Sequence, residues 1–304
     1  MGGARSAAGI AAGLAVLLAG CALGPAHPNA SGGRIDVVAT INAWGSILAQ
    51  LGGDRVHETS IIVNPDADPH DYEPTPADGR AIATARLLLT NGIGYDGWAA
   101  KAAAANPDSH RADLEVGKLV GVPAGGNPHR WYSPSDVTTV ADAITAALKR
   151  VDPPDASYFD TQHAQFETQG LASYHRLIDE IKTTYGGTPI GASESVVLPL
   201  ADALGLNVLT PPAFLRATSE GVEPSAGDKS LIDRQIATKQ IKVYVVNSQN
   251  STPDIAAQVQ AARARGIPVA SFTETLTPAT ASFQEWQVAQ LQALQRALAQ
   301  ATGR

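Results

Sequence analysis

Cysteine is almost missing from this sequence: one residue, Cys21, in 304. Such a chain forms no internal disulfide and no cysteine-rich metal site, and if Cys21 is itself modified, any metal or catalytic centre must use histidine and carboxylates. Basic residues are also few, 22 against 29 acidic, and they form no cluster. Nucleic acid is therefore excluded as a partner, because phosphate binding needs grouped Lys and Arg. There is no His-Glu-x-x-His, no Gly-x-Ser-x-Gly and no phosphate-cradling glycine loop. The one long apolar run, Ala7 to Leu18, is too short for a mature transmembrane helix, which needs about 20 residues. No internal repeat of short period is visible.

What is present begins at that apolar run. It follows a single charge, Arg5, and ends in Leu18-Ala19-Gly20-Cys21, a small-residue end that reads as a secretory cleavage region. The last four residues resemble the bacterial lipobox, in which the cysteine is diacylated and becomes the new N-terminus. The expectation is a lipoprotein signal peptide at 1–20 and a lipid-anchored, Gly/Pro/Ala/Ser-rich tether at 21–33, held to the outer face of the cell membrane without spanning it. The alternative is an ordinary signal peptide with a chance cysteine. Removing Arg5 with the signal leaves 21 basic and 29 acidic residues, a formal charge of −8.

About 280 mature residues exceed what one core holds, so two lobes are expected. Short aliphatic runs alternate with segments of helical periodicity. Strands are predicted at Ile35–Thr40, Thr59–Val63 and Ala85–Asn91, with helices at Ala43–Leu51, Pro76–Thr84 and Tyr95–Ala104. A second set has strands at Thr188–Ser193, Asn207–Thr210, Lys242–Asn247 and Val269–Thr273, with helices at Ser195–Leu204, Lys229–Thr238 and Pro253–Arg265. Such alternation implies parallel sheets with crossover helices, an α/β fold. Between the sets, the stretch from Asp155 to Thr184 reads as one rigid helix of about 45 Å joining the lobes, or as two helices broken at Gly170. The expected divisions are thus a lobe at 34–154, a linking helix at 155–185 and a lobe at 186–304. A last amphipathic helix is predicted over Ala281–Ala301, with its Gln284, Gln287, Gln290 and Gln295 face in solvent.

Two loops carry the chemistry. Asp68-Pro69-His70-Asp71-Tyr72-Glu73-Pro74 follows a predicted strand, and Asn127-Pro128-His129-Arg130-Trp131 precedes a helix. A histidine between prolines at the carboxyl end of a parallel strand stands where open α/β sheets place ligands, and imidazole is a common metal ligand. These segments resemble the Asp-Pro-His-x-Tyr-Glu-Pro and Asp-Pro-His-x-Trp motifs of the zinc/manganese substrate-binding proteins of ABC importers, solute-binding family 9. The resemblance extends to Val37–Thr40, Gly52–Val56, Asn91–Gly94 and Glu223-Pro224-Ser225.

The resemblance implies one divalent ion held by four protein ligands, two from each lobe. His70 and His129 match the first two. Counting eleven residues back from Gly205 in the Gly-Leu pair gives Glu194 as the third, and Phe272-Thr273-Glu274-Thr275-Leu276 places Glu274 where the family usually has aspartate. The longer side chain moves the carboxylate by about 1.5 Å, so water or a carboxylate such as Glu220 or Glu223 is the alternative fourth ligand. One of Asp68, Asp71, Tyr72 and Glu73 is expected to take the second N–H of the His70 ring. His27, His57, His110, His163 and His175 are not expected to bind metal. Trp98, Trp131 and Trp286 are read as core or cleft-wall residues, and Asp96 as helix N-terminal charge.

The function the resemblance implies is capture of Mn(II) or Zn(II) and delivery to a membrane permease and its ATPase subunit, by a monomer that is not an enzyme. Carboxylates binding through both oxygens would give five or six coordination and place manganese first. Affinity is expected to fall as pH drops through the histidine range. The readings from other classes are an envelope metallohydrolase with a His/carboxylate site, and a surface adhesin whose metal is structural.

Overall fold

The computed structural model describes residues 1–2 and 33–304, so Cys21, His27 and the signal and tether segments lie outside the described residues. The first lobe runs β1 (Ile35–Ile41), α1 (Asn42–Gly52), β2 (Val56–Ile62), α2 (Pro76–Thr84), β3 (Leu87–Thr90), α3 (Gly97–Ala105), β4 (Ala112–Glu115), α4 (Val116–Leu119) and α5 (Pro134–Val151). Its four strands are all parallel, in the order β2-β1-β3-β4. The inner strands β1 and β3 are apolar along nearly their whole length, as a strand covered on both faces must be.

The chain then enters α6 (Ala156–Gln165), a π-helical turn at Phe166–Gly170, and α7 (Ala172–Tyr185). Helix character is lost only at Leu171. A Cβ on Gly170 would meet Phe166 at an ordinary 3.5 Å, so packing does not demand glycine there, and the interruption falls where glycine weakens a helix. Helix α6 packs on α1 and α5 of the first lobe.

The second lobe repeats the plan with β5 (Pro189–Ala192), α8 (Leu198–Ala203), β6 (Asn207–Val208), α9 (Pro212–Ser219), α10 (Ala226–Ala237), β7 (Val243–Asn247), α11 (Pro253–Ala264), β8 (Val269–Phe272) and α12 (Phe283–Thr302). The order is β6-β5-β7-β8, again all parallel. Helix α12 starts at a capping box in which Ser282 and Glu285 satisfy each other's backbone N–H. It packs on α7 and β8 and also touches α1 of the first lobe. The buried apolar residues form one cluster through both lobes, with Trp44, Trp131, Phe283 and Trp286 among its largest members.

Four elements escaped the sequence reading or were only implied by it, among them the four-residue α4. Strand β4 is short and carries Asp113 and Glu115, as an edge strand can. Helix α9 opens on Pro211-Pro212, a pair that reads as loop although proline suits a first helical turn. Helix α5 is the helix that the Asn127–Trp131 segment was expected to precede, here bounded as Pro134–Val151.

The glutamine face of α12 is a correction. Gln287 and Gln290 are buried. Gln290 Oε1 lies 2.9 Å from the Tyr132 hydroxyl and accepts from Thr273 N–H at 2.9 Å. Gln287 Nε2 donates to the Trp131 carbonyl at 3.3 Å, and Gln284 exchanges hydrogen bonds with Gln50. Periodicity reads these amides as polar and therefore outward, whereas Gln287 and Gln290 satisfy backbone groups and Gln284 pairs with the Gln50 side chain at the seam between the lobes. Replacing Gln290 by Leu should leave the Thr273 N–H without a partner and cost about 1–3 kcal/mol in urea unfolding. A change within about 0.5 kcal/mol, the size of an ordinary surface substitution, would show that the amide is not needed.

Candidate metal centre

Parallel strands point their carboxyl ends the same way, and loops beyond those ends build the site. After β2, Pro69–Asp71 forms a single 3-10 turn, with Asp68 as its N-cap accepting from His70 N–H at 2.9 Å. After β3, the carboxylate of Asp96 accepts from Thr40 Oγ1 at 2.5 Å, Asn91 N–H at 2.6 Å and Gly92 N–H at 2.8 Å. Asp96 does stand at the start of α3, but its side chain makes no cap bond. It organises the β3 loop instead, which corrects the reading of it as helix charge alone. Gly92 in that loop has φ 69°, and a Cβ there would meet Glu115 at 2.6 Å. Asn91 in turn donates to the Pro128 carbonyl at 3.0 Å, fixing the loop that carries His129.

In the second lobe, Glu194 lies two residues beyond β5 and Glu274 two residues beyond β8. His70, His129, Glu194 and Glu274 converge, each offering one ligand atom, all within 4.8 Å of one another. His129 Nε2 lies 3.3 Å from His70 Nε2, 3.1 Å from Glu274 Oε2 and 3.7 Å from Glu194 Oε1. His70 Nε2 lies 3.4 Å and 3.9 Å from the same two oxygens. The side chains of His129, Glu194 and Glu274 are 0% exposed and that of His70 19%, so solvent reaches the group past His70. Glu220 and Glu223 are exposed, and Glu223 pairs with Lys229. Neither belongs to the cluster. Among the described residues this is the one group of at least three such side chains placed to hold an ion.

The supporting residues were mostly not legible in sequence. Asn127 Oδ1 accepts from His129 N–H at 3.0 Å and faces its Nδ1 at 2.9 Å, which puts the ring proton on Nδ1 and leaves Nε2 free to bind. Asn127 Nδ2 donates to the Ser195 carbonyl of the other lobe at 2.8 Å. The Tyr95 hydroxyl donates to Glu274 Oε2 at 3.0 Å, while its ring lies edge-on to His70 with centroids 4.8 Å apart. Ser219 Oγ donates to Glu194 Oε1 at 3.1 Å. Gln249 Oε1 accepts from Thr275 N–H at 3.1 Å and Glu274 N–H at 2.5 Å, and its Nε2 donates to the Ala67 carbonyl at 2.9 Å. The loop of His70 is thereby tied to the loop of Glu274. Of the four residues expected to hold the His70 ring, Asp68 takes its backbone N–H and Tyr72 donates to Asp78 at 2.7 Å.

Burial sets the charge states. It pulls His129 down to about 4, against which nearby Glu194 and Asp68 act more weakly, and it pulls His70 down as well. It pushes Glu194 up to about 8, helped by the Glu274 carboxylate beside it, and raises Glu274 for the same first reason. Burial thus favours the protonated form of both carboxyl groups and the neutral form of both imidazoles. A group raised in the folded state stabilises below its ordinary pKa and loses that contribution as pH climbs through the folded value. For Glu194 the window runs from 4.5 to about 8. The depressed His129 acts oppositely, below 6.5. Chelator-treated protein should therefore melt at a lower temperature at pH 8.5 than at pH 6.5, and Glu194→Gln should flatten that slope. An unaltered slope in the variant would remove Glu194 as its source.

With this geometry in view, comparison with known proteins is informative. The family described as zinc-uptake complex component A, periplasmic (ZnuA), matches residues 37–297. The manganese-binding lipoprotein MntA of Halalkalibacterium halodurans is 25% identical over 175 residues, 56% of this chain and 57% of that one. The manganese ABC transporter substrate-binding lipoprotein PsaA of Streptococcus pneumoniae is 27% identical over 255 residues, 78% of this chain and 79% of that one. The chain thus spans little more than half of MntA and about four fifths of PsaA. The fold is that of the Mn-bound periplasmic metal binding protein from Candidatus Liberibacter asiaticus, with a TM-score of 0.72, 19% identity and coverage of 88% and 100%.

Proposed function

The chain belongs to the zinc-uptake complex component A family of periplasmic metal-binding proteins, which are not enzymes, and from that premise we propose that it is the substrate-binding component of an ABC importer. It captures one divalent transition metal, Mn(II) or Zn(II), at His70, His129, Glu194 and Glu274 and hands it to a membrane permease driven by an ATPase subunit. The lobes are residues 34–154 and 186–304, joined through 155–185. Acylated Cys21 anchors a monomer to the outer face of the membrane, as the lipoprotein names of the relatives also suggest.

One observation carries this reading: four ligand atoms from loops of both sheets lie within 4.8 Å of one another, three of them on fully buried side chains. Two neutral imidazoles and two carboxylates cancel a divalent charge, which matters where water is largely excluded. Bonds of about 2.0 Å in a tetrahedron place donors about 3.3 Å apart, close to the 3.1 to 3.9 Å that separate each imidazole nitrogen from the carboxylate oxygens. The ion replaces protons on the carboxylates and cross-links the lobes, and delivery requires the permease to separate them.

Calorimetry on the full chain should give one site for each metal. Either His129→Ala or Glu274→Ala should weaken binding by more than about 100-fold, beyond what loss of an outer-shell partner costs. Retained affinity in Glu274→Ala would take that residue out of the site. Because binding expels a carboxylate proton, affinity at pH 5 should be on the order of 100-fold lower than at pH 7.5. Equal affinities at the two values would contradict a site of protonated carboxyls and neutral imidazoles.

A further inference from the structure

Asn247 is the last residue of β7, the strand between β5 and β8. Glu194 follows the first of these neighbours and Glu274 the second, so a side chain at this strand end stands between the two carboxylates. Its Nδ2 donates to Glu194 Oε2 at 2.7 Å and to Glu274 Oε1 at 2.8 Å. Its Oδ1 accepts from Gln249 N–H at 3.0 Å, and its own N–H lies 3.0 Å from Ser193 Oγ. An amide has two protons to give, and both are spent on carboxylates, while the carbonyl side is held by a backbone donor. The orientation is thereby determined, and the residue is 0% exposed.

The other two oxygens, Glu194 Oε1 and Glu274 Oε2, face the imidazole nitrogens, and each accepts one hydroxyl hydrogen bond, from Ser219 and Tyr95 respectively, that leaves a lone pair turned toward the histidines. We infer that Asn247 is a specificity-determining residue which holds each carboxylate to one metal-facing oxygen, makes the site four-coordinate, and so favours Zn(II) over Mn(II). This rests on the metal-binding reading above. Zinc is satisfied by four ligands in a tetrahedron, whereas manganese favours an octahedral, oxygen-rich shell. To reach it here, a carboxylate must turn its second oxygen inward and abandon a buried amide proton, or water must enter past His70. The preference for manganese drawn from the sequence rested in part on carboxylates binding through both oxygens. Asn247 occupies the oxygens that assumption needs.

The test compares Zn(II) and Mn(II) affinities of the full chain with those of Asn247→Ala, together with X-ray absorption spectra of each loaded protein. Zinc-loaded wild type should show four near donors. In the variant, the ratio of zinc to manganese affinity should fall at least about tenfold, the lower end of outer-shell effects, and the donor count should rise. Equal weakening of both metals would mean a merely structural role and overturn the inference. So would five or six near donors in zinc-loaded wild type, a measurement that decides the matter even if the variant does not fold. Absence of binding of either metal to wild type would instead sink the metal-binding reading itself.

Discussion

Glu194 and Glu274 are both fully buried, in contact with the same two imidazoles and bridged by one amide. Two carboxylates removed from water this way cannot both stay ionised without a compensating positive charge. Protons or a divalent cation can supply it, and the two compete for the same oxygens. In the proposed site that exchange ties electrostatics to chemistry: burial favours a proton on the carboxylates, and a bound ion would displace it.

The scaffold holds this strained charge in place through contacts that cross between the lobes. Tyr132 donates to the Thr273 carbonyl at 2.6 Å, Asn127 to the Ser195 carbonyl at 2.8 Å, and Gln249 to the Ala67 carbonyl at 2.9 Å. Helix α12 closes the seam with Phe283, Trp286 and its buried glutamines. Each of these bonds lies close to a ligand loop or supports the strand that leads to one. Separating the lobes therefore means breaking several buried polar contacts together, and a single apolar core opposes it as well.

Side-chain amides recur wherever the site needs a fixed direction. Asn91 supports the His129 loop, Asn127 sets the His129 tautomer, Asn247 spans the carboxylates, and Gln249 joins the loops of His70 and Glu274. An amide gives donors and an acceptor in one plane without adding charge. Charged residues in these positions would alter the balance that the four central groups require.

The α/β class and most of the elements could be read from periodicity, because buried parallel strands are near-continuous aliphatic runs and Pro and Gly mark their ends. His70 and His129 stood out because Pro-His on a loop is a local pattern, and Glu194 and Glu274 could be counted into place only through a family resemblance. Nothing local marks Asn247, Tyr95 or Gln249. Their roles depend on which strand lies beside which, and an asparagine ending a strand reads as turn chemistry until β7 is seen between β5 and β8. The glutamines of α12 were misplaced for the same reason, since polarity along one helix does not say what lies across from it. The sequence by itself determined which groups could bind a cation. Only the tertiary structure decided which oxygens of those groups face the imidazoles and which face Asn247, because hydrogen bonds between distant strand ends, absent from any local pattern, orient them.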